Sequence, residues 1–311
     1  MFRNILVPLD GSALADYALS YAARLARRTD ATLHLARVVE PPAVWLAPPV
    51  MGPTFMPATY HDEVMSAMID AATTHLQAAA DRLTRTGLRV EVAQLEGFIT
   101  PALVDYERSA HIDLVTMCGN GRSGLARLAF GSVSDRLLRH GSAPVLRVRP
   151  FGAQAVLPQA LVPLDGSPHA EEALDVVKHL AGRQVVRGID LLRVIGAARE
   201  GPEAEDYLEA VAQRLERHGL ACRYQVVLGE AARSIKEQAG ADQLVVMATH
   251  GRSGPARLVR GSVAEEVARG NVAAVLLVRE APKIKANVSI LPAPAVRARV
   301  PEHALTRVSG T

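Results

Sequence analysis

Two glycine-rich stretches carry the residues best suited to chemistry. Residues 118–133 read Cys-Gly-Asn-Gly-Arg-Ser-Gly-Leu-Ala-Arg-Leu-Ala-Phe-Gly-Ser-Val, and residues 248–263 read Ala-Thr-His-Gly-Arg-Ser-Gly-Pro-Ala-Arg-Leu-Val-Arg-Gly-Ser-Val. Each follows an apolar run (112–117 and 244–247) and leads into a helical pattern. Glycines let backbone amides come close to an anion and allow positive φ. Gly131-Ser132 and Gly261-Ser262 fall where a helix begins, and the first amides of a helix have no partner within it. The helix dipole adds about 0.3–1 kcal/mol for an anion placed there. Ser132 and Ser262 can cap the helix and donate a hydroxyl to phosphate. Arg122 and Arg127 in the first copy, and Arg252 and Arg257 in the second, can add charge-assisted bonds. One copy alone is equally well explained by tight turns and close helix packing. Retention of the spacing from Gly121 to Val133 and from Gly251 to Val263 favours phosphate binding.

A second repeated stretch carries a carboxylate. Leu6-Val7-Pro8-Leu9-Asp10-Gly11-Ser12 returns as Leu161-Val162-Pro163-Leu164-Asp165-Gly166-Ser167. Asp10 and Asp165 each close an apolar run, where a carboxylate can accept a bond from a ribose hydroxyl or an adenine amine. A helix N-cap is the competing use of Asp before Gly-Ser. Val38 and Val194 end the next apolar runs, Leu35-Ala36-Arg37-Val38-Val39 and Leu191-Leu192-Arg193-Val194-Ile195. Their backbone N–H and C=O can hydrogen-bond an adenine edge, which no local signal shows.

Other candidates are weaker. Gly-Arg-Ser-Gly is neither a Walker loop nor the Gly-x-Ser-x-Gly elbow of a hydrolase. His61-Asp62-Glu63 resembles a metal cluster, but adjacent helix residues point apart, so a solvated helix start is expected and no metal site. His250 is matched by Asn120 in the other copy, which speaks against a catalytic histidine shared by both. Cys118 follows an apolar strand and reads as a small packing residue, not a nucleophile. No catalytic residue is assigned.

These loops need strands and helices to hold them. Short apolar runs at 3–8, 31–39, 88–95, 113–117 and 144–148 read as strands, the first a buried parallel one. Helical spacing covers 13–28, with Ser12 as N-cap, and 61–86, closed by Gly87. A third helix, 100–110, is read with Thr100 as cap and Pro101 at its first position, and a fourth covers 132–140. The prolines at 41–57 forbid a regular element there. The whole pattern then restarts. The expected fold is α/β: two tandem flavodoxin- or Rossmann-like domains, each an open, mainly parallel five-stranded sheet with helices on both faces. Such sheets bind ligands beyond the carboxyl ends of their strands. The expected division is 1–149, a linker at 150–158, a second domain at 159–280 and an irregular or disordered tail at 281–311.

Composition agrees. The 311 residues are 49% hydrophobic and 22% charged, which suits a soluble protein with two sizeable cores. The net charge of +3 belongs to the tail, where Lys283, Lys285, Arg297, Arg299 and Arg307 face only Glu302. A near-neutral body with 4% aromatics argues against nucleic-acid binding. No apolar run reaches the ~18 residues of a membrane span. Two cysteines and no leader-like start point to a cytoplasmic location.

The strand–Asp turn, the glycine loop and the closing apolar strand together resemble the universal stress protein family in its tandem two-domain form. That family's ATP-binding pattern is Gly-x2-Gly-x9-Gly-Ser/Thr. Gly121 and Gly131-Ser132 match its second half, with nine residues between, and so do Gly251 and Gly261-Ser262. Cys118 and Ala248 stand where the family's first glycine would be. The resemblance implies a stress-linked regulatory protein that binds ATP, or AMP or ADP, with Mg²⁺ following the phosphates and little or no turnover. Asp10 and Val38 would hold adenosine beside Pro8, and Asp165 and Val194 beside Pro163. A slow ATPase, and a degenerate scaffold acting through protein contacts, are the alternatives. The family also pairs domains through the last strand, here 144–148 and 274–278, which a tandem chain can do within one molecule. The 41–57 loop is suited to cover the first site or to pack at the subunit interface of a homodimer, and the choice stays open.

Overall fold

The computed structural model describes residues 2–41, 58–118, 132–150, 158–249, 262–270, 272 and 274–279. The proline-rich loop beyond Pro41, both glycine loops, most of the linker and the tail lie outside the described residues.

The first half runs β1 (Asn4–Pro8), α1 (Ala13–Thr29), β2 (Thr32–Val39), α2 (Ala58–Thr84), β3 (Arg89–Glu96), α3 (Ile99–Ser109), β4 (Leu114–Cys118), α4 (Ser132–His140) and β5 (Val145–Val148). The second repeats it: β6 (Gln159–Pro163), α5 (Pro168–Gly182), β7 (Gly188–Ile195), a short 3-10 turn (Ala198–Glu200), α6 (Gly201–Glu216), β8 (Cys222–Leu228), α7 (Ala231–Gln238), β9 (Gln243–Thr249), α8 (Ser262–Arg269) and β10 (Ala274–Arg279). The strand cores are apolar on both faces, as parallel strands sandwiched between helices must be: Ile5, Leu6 and Val7 are all fully buried.

The two five-stranded sheets join. All ten strands form one sheet in the order β3-β2-β1-β4-β5-β10-β9-β6-β7-β8. Every pairing is parallel except the central one, where β5 and β10 run antiparallel with Leu146 opposite Leu276. The expected pairing of the last strands within one molecule is thus present. Arginines reinforce it. Arg149, just past β5, donates to the Arg269 carbonyl at the end of α8 at 3.0 Å. Arg279, ending β10, donates to the carbonyls of Arg139 and Gly141 at the end of α4. Each half therefore places a cation on the carbonyl end of the other half's last helix.

The two faces of the sheet differ. Beneath α1, α2, α5 and α6 one apolar core runs across the seam, from Leu33 and Leu76 to Leu191 and Leu208. On the other face, α3 with α4 and α7 with α8 cover two separate cores, and Leu138 of α4 touches both.

Local signals explain the starts of α1, α5 and α7. Ser12 accepts from Ala15 N at 3.2 Å and Ser167 from Ala170 N at 3.1 Å, so both halves cap their first helix alike. The start of α3 departs from the sequence-based expectation. Thr100 is buried inside the helix, and the N-cap position belongs to Phe98, whose side chain cannot accept a bond. Glu40, beyond the end of β2, supplies the acceptor instead, 3.0 Å from Ile99 N. In the second half Glu230 holds the equivalent position and caps α7 directly, accepting from Ala232 N and Arg233 N.

Glu107 fixes the return from α4 to β5. Its buried carboxylate accepts from Ser142 Oγ at 2.7 Å, from Ala143 N at 2.6 Å and from Ser142 N. Removing it strands several donors in a space that a methyl group cannot fill. Glu107→Ala is expected to lower unfolding free energy by about 2–4 kcal/mol in urea titration. A loss below about 1 kcal/mol would show that the turn holds without its carboxylate.

Candidate functional site

Strand order decides where a ligand can sit. In the first half the chain builds β1, β2 and β3 outward in one direction, then places β4 and β5 on the other side of β1. The order reverses between β1 and β4, and a crevice opens beyond the carboxyl ends of strands at such a point. The second half reverses between β6 and β9. Because β5 and β10 are antiparallel, the two carboxyl edges face opposite ends of the sheet.

The first edge gathers Pro8 and Asp10 from β1 and its turn, Val38 near the end of β2, and Cys118 at the end of β4. The start of α4, Ser132 with Val133, lies across the loop from Cys118. The second edge gathers Pro163, Asp165, Val194, Ala248 and the start of α8, Ser262 with Val263. Gly121, Arg122, Arg127 and Gly131, like Gly251, Arg252, Arg257 and Gly261, lie outside the described residues.

The Asp-Gly-Ser turns have the same construction in both halves. Ser12 N donates to Asp10 Oδ1 at 2.9 Å, and Ser167 N to Asp165 Oδ1 at 2.9 Å. Gly11 and Gly166 have φ of +86° and +84°, in the left-handed region that favours glycine. The aspartate therefore both braces its turn and stays exposed at the sheet edge. Partial shielding within the turn pushes each carboxyl up. The Ser12 hydroxyl and amide with Arg37, and the Ser167 hydroxyl and amide with Arg193, outweigh that push and hold both pKa values below 3.8.

Those arginines were not assigned a role from the sequence. Arg37 and Arg193 lie one position before Val38 and Val194, and their guanidinium groups pack over the turn. A methyl group added at Gly11 would meet Arg37 Nη1 at 3.5 Å, and one at Gly166 would meet Arg193 Cζ at 3.3 Å. The available signal was an arginine repeated at the same place in Leu35-Ala36-Arg37-Val38 and Leu191-Leu192-Arg193-Val194. The two halves hold the arginine differently. Arg193 lies over the Tyr207 ring, 5.6 Å from its centroid. Tyr207 donates to Glu171 Oε1 at 3.0 Å, and Arg214 binds the other oxygen of Glu171. Arg37 makes no hydrogen bond, ion pair or ring contact among the described residues.

Cys118 is half-buried and packs against the core that runs beneath α1. Burial pushes its thiol up to about 11, against the pull of Arg147 and Arg149, so it stays protonated at neutral pH. The packing role read for it agrees with this. At this position, and at Ala248 in β9, the backbone is still regular strand, paired to Val148 and Val278 respectively. Among the described residues no three His, Cys, Asp or Glu side chains are grouped to hold a metal.

The model of the universal stress protein family matches residues 1–149 and 158–279. The chain belongs to the universal stress protein family. It is 32% identical over 296 residues to a universal stress protein of Mycolicibacterium smegmatis, which covers 89% of this chain and 97% of that protein. A universal stress protein of Mycobacterium tuberculosis is 30% identical over 296 residues, with 89% and 96% covered. Among solved structures, a universal stress protein from Archaeoglobus fulgidus superposes with a TM-score of 0.71 at 17% identity, covering 90% of this chain and 99% of that one. At that identity it is evidence for the fold. The lengths of these relatives agree with a tandem architecture. Among the described residues no helix is long and apolar enough to cross a membrane.

The depressed aspartates set an expected pH dependence. A carboxyl whose folded pKa lies below its unfolded value contributes stability above the unfolded value, and this is lost as pH falls through the folded one. Replacing Asp10 and Asp165 by Asn is expected to flatten the fall in stability between about pH 5 and pH 2. Urea midpoints across that range, unchanged in slope between variant and parent, would show that the turns do not favour the charged form.

Proposed function

We propose that this universal stress protein is an adenine-nucleotide-binding regulatory protein that takes ATP, AMP or ADP at the carboxyl edge of each half and turns it over slowly or not at all. One observation carries the reading. The same exposed carboxylate, in the same glycine turn under an arginine, stands at the strand-order reversal of both halves. A carboxylate kept ionised and fixed there accepts bonds from ribose hydroxyls, and the backbone at Val38 and Val194 can pair with an adenine edge. Ser132 and Ser262 open α4 and α8, whose N-terminal amides suit phosphate. Mg²⁺ would accompany the phosphates, held mainly by their oxygens.

Cys118 and Ala248 supply the specific ground for a second reading, a scaffold that binds no nucleotide. The Cys118 side chain packs against the core, which favours binding over a block at this position.

Calorimetric titration of the full chain with ATP and Mg²⁺ tests the choice. Saturable binding is expected, weakened about tenfold or more by Asp10→Ala together with Asp165→Ala. Absence of heat and of any thermal shift at millimolar nucleotide would overturn the proposal. If Cys118→Gly and Ala248→Gly then restored binding, those two residues would be identified as the block.

A further inference from the structure

A cavity of about 190 Å³ opens on the face of the sheet between α1 and α5, across the β5–β10 seam and away from both carboxyl edges. Its floor is four leucines from four strands: Leu114, Leu146, Leu276 and Leu244. All four are buried, and they come from both halves of the chain. Its rim carries Arg24, Arg27 and Arg28 of α1. No Asp or Glu is among its described lining residues. None of the three arginines forms an ion pair among the described residues.

Part of this charge has an ordinary explanation. Arg27 and Arg28 fall in the last turn of α1, where cations suit the helix dipole. Arg24 does not. It stands a turn earlier and half-buried, its guanidinium 4.7 Å from the centroid of the Tyr21 ring, and its Nε is shielded from water with no hydrogen-bond partner among the described residues. A shielded donor on a cation is costly to leave unpaired. The ring contact compensates it in part.

Size restricts the occupant. Ligand sites for drug-sized molecules run from about 300 to 1,000 Å³, so a nucleotide does not fit. A dry apolar cavity of about 150 Å³ is enough for benzene. At about 30 Å³ per small group in a liquid, this one takes roughly six carbons. A leucine floor suits hydrocarbon, and an arginine rim without carboxylates suits an anionic head. We propose that this cavity binds a short-chain alkyl carboxylate, its chain over the four leucines and its carboxylate on Arg24 with Arg27 and Arg28 beside it. The site does not depend on the nucleotide reading.

Ligand-observed NMR titration of the full chain with sodium hexanoate tests this. Hexylammonium (same chain, opposite charge) and acetate (same head, no chain) serve as controls. Saturable hexanoate binding is expected with a dissociation constant of about a millimolar, and none for either control. Arg24→Gln is expected to weaken it about tenfold, and Leu276→Phe, which fills the floor, to abolish it. Should Leu276→Phe fail to fold, Arg24→Gln on its own decides, its fold checked by circular dichroism and its thermal midpoint. Absence of saturable hexanoate binding, equal binding of hexylammonium, or undiminished binding to folded Arg24→Gln would each overturn the proposal.

Discussion

The antiparallel ladder between β5 and β10 is the constraint on which the rest of the molecule depends. Each half alone would end in a short, largely apolar strand with one unpaired row of amides and carbonyls, a template for association with other chains. Pairing the two last strands satisfies those groups and removes both edges at once. It also determines what each side of the molecule presents. Because the pairing is antiparallel, the carboxyl edges point to opposite ends, so two ligands could be held without competing for one crevice. Arg149 and Arg279 lock the same seam from both directions by reaching the carbonyl ends of α8 and α4. The shared core beneath α1 and α5 then makes the halves one packed body on that face.

Within each half the Asp-Gly-Ser turn serves the fold and the site through the same atoms. The serine caps the first helix, its amide braces the aspartate, and the glycine turns the chain so that the carboxylate stays at the edge. The arginine above the turn is the more variable part. In the second half Tyr207, Glu171 and Arg214 hold Arg193 in place, so little side-chain freedom is left to lose when an anion binds. In the first half Arg37 has no such partners among the described residues. Two sites built on one plan thus differ in preorganisation.

Much of this was legible in the sequence, because the signals are local. Apolar runs placed the strands within a residue or two, Ser12 announced α1, and the duplicated Leu-Val-Pro-Leu-Asp-Gly-Ser announced the second half. The family resemblance supplied the pairing of the last strands, which no local pattern contains. What escaped was long-range. Thr100 looked like a cap because Thr before Pro so often is one, yet the acceptor for α3 comes from Glu40, far away in sequence. Arg37 and Arg193 had no role assigned from the sequence, and only the parallel register that sets Pro8 beside Ala36, and Pro163 beside Leu192, brings them over the turns.

The seam also explains why an apolar cavity exists where close packing would be expected. α1 packs chiefly on β4 and α5 chiefly on β9, each following the strands of its own half. Both reach only marginally over β5 and β10. Duplication thus brings together two central strands that neither half's helix was placed to cover, and Leu146 and Leu276 form a floor with an incomplete roof. Mutation to larger side chains at either leucine could close the gap. Among the described lining residues the rim collects three arginines from α1, and Gln184 is the polar group from the α5 side. The charge is one-sided although the cavity straddles a near-symmetric seam. Packing geometry accounts for the hole, and the dipole of α1 accounts for Arg27 and Arg28 at its end. Arg24, a turn earlier, is the part of the asymmetry that an anionic head group on the α1 side would explain.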